Sequence, residues 1–266
     1  MNTYILYIDI DILGFADLVE NDEDNIRRTI DIIDSLSLHD HPEFRSIVFS
    51  DTILVYLNNE VNSLTPPEDR KWAIGYLCEF AEDLQIRTEE LPVFFRAVIT
   101  EGNFSVDVKT HASYFYGTAL IHAYRTEKEI PAIGLFLDHS LNQWNDAYPV
   151  APFIENKLDF VFLDQCLETL QLNTNGDLPI SEFVLRETDE YGLILFELKR
   201  LRTIYANMRN HADPRVRAKH LMTWDYYFQR YPKILEHLVR EAFDPKIICP
   251  EYDWSRKIEI ANYNAK

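Results

Sequence analysis

The chain has 266 residues, 47% of them hydrophobic and 13% aromatic, which is ample for a sizeable core in one large domain or two. Its formal net charge of −18 argues against a nucleic-acid groove or an anionic membrane as main partner, because either would repel the surface as a whole. Cys78, Cys166 and Cys249 are odd in number, far apart and without CxxC spacing, as in a reducing cytoplasm. Asp9 and Asp11 interrupt the one apolar N-terminal run, so neither a signal peptide nor a membrane span is expected.

Tyr4 to Phe15 begins as a β-branched and aromatic strand, with Asp9 and Asp11 near its end and a turn at Gly14. Ile26, Ile30, Ile33 and Leu36 then paint one face of a helix that covers a sheet. His39-Asp40-His41-Pro42 breaks it. Two histidines beside an aspartate are candidate metal ligands, but on a loop before proline they read as solvated. Ile47 to Leu57 reads as two short strands hinged at Ser50-Asp51.

Glu68 and Asp69 suit the start of a second helix, whose buried stripe is Ala73, Leu77, Phe80, Ala81 and Leu84. Val93 to Thr100 is a strand holding Arg96, and Gly102-Asn103 predicts a hairpin into Phe104 to Val108. Residues 114 to 129 read as a third helix and Ile133 to Leu137 as a returning strand. The order βα, ββ, α, ββ, αβ predicts an α/β sandwich with a mostly antiparallel sheet and helices against it. That order alone fits unrelated α/β folds as well.

From about Leu141 the composition changes, which divides the chain into 1–140 and a mainly helical 141–266. Pro149, Pro152 and the Asn173 to Asp177 loop punctuate a transitional stretch. Ile194, Leu198, Leu201, Tyr205 and Met208 predict a helix over 189–210, and Asp213-Pro214 starts another whose aromatic face runs to Tyr231. A last helix follows Pro232 to about Phe243. The basic residues Lys199, Arg200, Arg202, Arg209, Arg215, Arg217 and Lys219 read as a solvated face, with a docking surface for an acidic partner or another subunit as the sharper alternative.

An acid at the mouth of an apolar strand costs desolvation energy unless a cation accompanies it. Asp11 and Asp51 therefore point to a shared divalent metal site; the competing reading is that each caps a turn or a helix. Asp9, two residues before Asp11, shares its strand face.

Taken together the motifs resemble those of class III nucleotidyl cyclases. Asp11-Ile12-Leu13-Gly14-Phe15 resembles the first metal motif, and Phe49-Ser50-Asp51 the hairpin with the second metal aspartate. Arg96 to Gly102 resembles the arginine-led strand that closes on a glycine, and Gly117 to Arg125 the helix carrying the transition-state arginine. The four motifs stand in the family's order over residues 4 to 138. The resemblance implies a ferredoxin-like α/β (α+β) core with a helical C-terminal extension. It implies that Asp11, Asp51 and the Ile12 carbonyl hold two divalent cations, Mg2+ or Mn2+; Asp9, on the same strand face, reads as an outer acid that tunes them or equally as a local cap. It further implies that Arg96 meets the polyphosphate and that Arg125 stabilises the transition state of 3′,5′ ring closure, across the interface of a head-to-tail homodimer.

Two departures carry information. The family's asparagine position is Ile121, which puts one ribose or transition-state contact in doubt. Its purine-reading lysine and polar residue are replaced by Ile47 and Tyr114, an apolar and aromatic pair suited to a smaller stacked base. In this the chain resembles the bacterial pyrimidine cyclases of Pycsar antiphage systems. That implies cyclic UMP or cyclic CMP made from UTP or CTP, with UTP slightly favoured, and a separate cyclic-nucleotide-binding effector. The alternatives are a catalytically inactive cyclase-like nucleotide sensor, an adenylate or guanylate cyclase, or another palm-type enzyme such as a diguanylate cyclase. The last lacks its Gly-Gly-Asp/Glu-Glu-Phe hairpin at residues 48 to 52.

Overall fold

Tyr4 to Ile8 is an unbroken apolar run because its strand is covered on both faces. The computed structural model describes residues 1–9, 23–36, 41–49, 51–91, 93–188 and 193–255. In it β1 (Asn2–Asp9) lies between β3 (Thr52–Leu57) and β4 (Arg96–Asn103), antiparallel to both. Side chains alternate across a strand, so Tyr4, Leu6 and Ile8 join one apolar cluster while Ile5 and Tyr7 join another.

The first cluster takes in Ile33 and Leu36 of α1 (Glu23–Leu36) and Ala73, Leu77, Phe80, Ala81 and Leu84 of α2 (Pro67–Arg87). All five of these α2 positions are the ones its periodicity predicts. In α1 the stripe differs: Ile30 is exposed and Thr29 is buried in its place. The Thr29 hydroxyl donates to the Asn25 carbonyl at 2.8 Å, so it enters the core with its hydrogen bond made.

The full sheet has seven strands in the order β2-β3-β1-β4-β7-β9-β8, with β2 (Phe44–Phe49), β7 (Gly134–Asp138), β8 (Val150–Ile154) and β9 (Leu158–Val161). Every neighbouring pair is antiparallel except β4 and β7. The order β2-β3-β1-β4, with α1 and α2 as crossovers, is the ferredoxin-like β-α-β-β-α-β arrangement. The fold is thus mixed α/β with a mostly antiparallel sheet.

Three expectations change. The segment after Gly102 does not fold back on β4, which pairs with β1 along its length and with β7 at Arg96–Ile99. Instead β5 (Ser105–Val108) pairs with β6 (Ser113–Tyr116) in a separate ribbon, so the tyrosine-rich start of the expected 114–129 helix is strand, and α3 is Thr118–Glu129. The division also moves: β8 and β9 extend the sheet beyond residue 140, and the compact units are Met1–Leu163 and Asp164–Lys266.

The second unit is helical: α4 (Gln165–Thr174), α5 (Glu182–Thr188), α6 (Ile194–Asn210), α7 (Pro214–Arg230) and α8 (Pro232–Arg240). The stretch read as transitional supplies α4 and α5. The Asp213 carboxylate caps α7 by accepting from the Arg215 N–H at 2.8 Å, as Asp-Pro predicts. One member of the basic run is internal: Arg200 is buried against Asp164 at 3.2 Å and the Tyr227 hydroxyl at 2.9 Å. Burial pushes the Asp164 carboxyl above its ordinary range, against the pull of Arg200. Among the described residues no helix is long and apolar enough to cross a membrane.

Two glycines let α3 meet the sheet. A Cβ at Gly102 would lie 3.2 Å from the Ala119 Cβ, and one at Gly117, where φ is +155°, would overlap the Asn103 carbonyl oxygen and come within 2.7 Å of the Phe104 Cα. Gly117→Ala is expected to lower unfolding stability by at least about 3 kcal/mol, read as a fall in urea midpoint at unchanged slope.

Candidate active site

Register brings four chain segments to one end of the sheet. Asp9, the last residue of β1, lies opposite Thr52 on β3 and opposite Arg96 on β4; Arg96 in turn is opposite Gly134, the first residue of β7. Phe49 pairs with Thr52, and Asp51 lies in the turn of this β2–β3 hairpin. Asp51 is half-buried in that turn, one residue from the partner of Asp9. Asp11 and Ile12 lie outside the described residues, as does the side chain of Asp9.

Arg96, Val98 and Thr100 face α3, since Ala97 and Ile99 belong to the cluster on the α1–α2 side. The Arg96 guanidinium pairs with the Glu127 carboxylate at 2.6 Å and donates to the Ile130 carbonyl, at the C-terminal cap of α3, at 3.2 Å. The side chains are 11% and 0% exposed. Removing one partner of such a buried pair costs about 3–5 kcal/mol, against about 1 kcal/mol or less for a surface pair. The polyphosphate role expected for Arg96 would therefore have to compete with an internal carboxylate. Lys128 Nζ lies 3.5 Å from the other Glu127 oxygen, at the solvent rim.

Farther along α3, His122 Nε2 is 3.1 Å from the Asp138 carboxylate, which also accepts from the Thr100 hydroxyl. Thr118 Oγ1 accepts from the Asn103 N–H at 3.1 Å. Three polar links thus fasten α3 to the sheet, and between them a narrow stripe of Ala119 and Ala123 packs on Ile5, Tyr7 and Leu54. Ile121 and Arg125, one turn apart, both lie on the exposed side of α3. Tyr124 meets Tyr7 edge-on, with ring centroids 6.3 Å apart.

The two base-reading positions sit on different sheets. Ile47, on β2, is partly buried against the Ile5–Tyr7 cluster; Tyr114, on β6, is 55% exposed. His41 of the broken-helix loop packs among Phe44, Trp72 and Tyr76, while His39 and Asp40 lie outside the described residues.

Asp11, Asp51 and the Ile12 carbonyl are all oxygen donors, the set that suits a hard cation such as Mg2+ or Mn2+, and half-buried Asp51 keeps access to one. Among the described residues no three His, Cys, Asp or Glu side chains form a group that could hold a metal.

Glu127 and Asp138 were not singled out from sequence. A signal for Glu127 existed: it continues the Ala119, Ala123 stripe by one more turn, and an acid on a buried stripe requires a cation.

No protein-family model matches the chain, and no curated protein matches it. Among solved structures it is similar to the adenylyl cyclase CyaB from P. aeruginosa, at 12% identity and a TM-score of 0.44 over 60% of this chain and 93% of that one. It is also similar to the monomeric guanylyl cyclase domain of the RhoGC fusion protein from the aquatic fungus Blastocladiella emersonii, at 13% and 0.45 over 60% and 94%. A third is the guanylate cyclase domain of RhGC from Catenaria anguillulae in complex with GTP, at 12% and 0.41 over 60% and 96%.

Because Arg125 is exposed on α3, Arg125→Ala is expected to change unfolding stability by less than about 0.5 kcal/mol, which thermal or urea unfolding would check.

Proposed function

We propose that the chain is a metal-dependent nucleotidyl cyclase that acts on UTP or CTP, with UTP slightly favoured, and releases pyrophosphate. One observation supports it above the others: the end of β1, which leads into Asp11, and the turn that carries Asp51 are neighbours across an antiparallel register. The chain two residues before Asp11 and the turn that carries Asp51 thereby meet at one end of one sheet.

In this reading Asp11, Asp51 and the Ile12 carbonyl hold two divalent cations, Mg2+ or Mn2+, and Asp9 tunes them from behind. When bound, such ions lower the pKa of a ribose 3′ hydroxyl and neutralise triphosphate charge. The 3′ oxygen attacks the α-phosphorus in line, its proton leaves, and the bond to the pyrophosphate oxygen breaks. Arg125 offers a planar set of donors to the charge that builds on the α-phosphate and leaving group. Its exposed position on α3 suits action across the interface of a homodimer. In this reading Ile47 and Tyr114 read the base, from two different sheets. The cyclic nucleotide serves as a second messenger in antiphage defence, read by a separate effector in the cytoplasm.

A second reading has its own observation. Ile121 is 51% exposed where a polar donor belongs in a working site, which favours a catalytically inactive nucleotide-binding sensor. An adenylate or guanylate cyclase is the third possibility.

Purified protein with Mn2+ or Mg2+ and each of the four ribonucleoside triphosphates is expected to yield cyclic UMP or cyclic CMP plus pyrophosphate by chromatography. Asp51→Ala is expected to lower that turnover by at least about 1000-fold. Turnover of ATP or GTP alone discards the pyrimidine assignment, and nucleotide binding without product favours the sensor.

A further inference from the structure

We infer that Arg96 and Glu127 are positioning residues: their buried pair fastens the C-terminal turn of α3 to β4 and so sets where Arg125 points, and Arg96 acts through Glu127 rather than on the triphosphate. The inference rests on the cyclase reading and departs from it in the role given to Arg96.

Three features of the pair carry it. First, both groups are enclosed, with Glu127 fully buried and Arg96 nearly so. To reach a triphosphate the guanidinium would have to abandon a carboxylate in a medium that solvates it poorly, so it stays where it is. Second, the Arg96 guanidinium also donates to the Ile130 carbonyl at 3.2 Å, where the partial negative charge of the helix C-terminus gathers. It is thus held by helix backbone as well as by a side chain. Third, Arg96 is fixed at its other end by register, with Asp9 and Gly134 on either side.

Glu127 follows Arg125 by two residues, which on a helix turns the two side chains about 200° apart. The inward grip on one therefore sets the outward heading of the other. The Ala119 and Ala123 stripe cannot do this alone, because small side chains let a helix roll on the surface beneath. The His122–Asp138–Thr100 link restrains the helix one turn earlier, so the arginine lies between two polar fastenings.

The test uses full-length Arg96→Met, Glu127→Gln and the double variant, with Arg96→Lys and Glu127→Asp as conservative counterparts should the others fail to fold. Amide hydrogen exchange over 118–129 is expected to quicken about tenfold in each single variant, and the double variant to be no worse than the poorer single one. With UTP or CTP and Mn2+, kcat is expected to fall about 100-fold while KM stays within about twofold. A KM raised about tenfold or more by Arg96→Met, with exchange in α3 unchanged, overturns the inference and returns Arg96 to the triphosphate. Wild-type protein that turns over no nucleotide sinks the cyclase reading alone; the exchange measurement needs no turnover and still decides whether the pair holds α3.

Discussion

Covering β1 on both faces is the constraint from which the first unit follows. Tyr4, Leu6 and Ile8 belong to the cluster under α1 and α2, and Ile5 and Tyr7 to the one under α3. A slip of one residue would exchange the two sets and bring tyrosine where isoleucine fits, so the register against β3 and β4 is held by packing on both sides at once. The position of every residue at the end of the sheet is inherited from that register. Asp9 faces Thr52 and Arg96 because five apolar side chains before it have no other way to be buried.

Polar groups inside each unit are managed by pairing. Glu127 has Arg96 in the first unit; Asp164 has Arg200 and the Tyr227 hydroxyl in the second. At the start of α4 the Glu197 carboxylate accepts from the Cys166 and Leu167 N–H groups at 2.8 Å each, which satisfies helix-end donors with a negative charge placed where the dipole favours it. Buried carboxylates are thus met by arginine at Glu127 and Asp164 and by backbone N–H groups at Glu197.

The core was legible from periodicity where a helix is long and single-sided, as in α2, whose five expected contacts are all buried. It was less so where a polar residue can satisfy itself: Thr29 took the place of Ile30 by bonding to its own helix. Tyr114 to Tyr116 read as the start of a helix and fold as strand, because pairing with β5 decides, which no local signal contains. The boundary near 140 missed β8 and β9 because prolines and a composition change look alike whether they end a domain or punctuate its last hairpin. As for the site, Asp51 and Arg125 were visible as motif residues. Glu127 was legible only as an acid on the Ala119 and Ala123 stripe, since its partner Arg96 lies on a strand 31 positions earlier.

The outermost strand, β2, has β3 on one side and carries Val48 and Phe49, the latter 79% exposed. Among the described residues no strand pairs with its outer side, and such an edge flanked by large apolar side chains is a template on which another chain can lay its own backbone. Arg45 is the one charge along β2, and it is turned toward the Pro42 and Phe44 carbonyls. A strongly acidic surface opposes such pairing by long-range repulsion, a force that dissolved salt shortens to about 8 Å at physiological ionic strength. Colloidal behaviour and the hydrophobic rim of the sheet are therefore coupled: salt that screens the acidic surface weakens the force opposing edge-to-edge growth of the sheet.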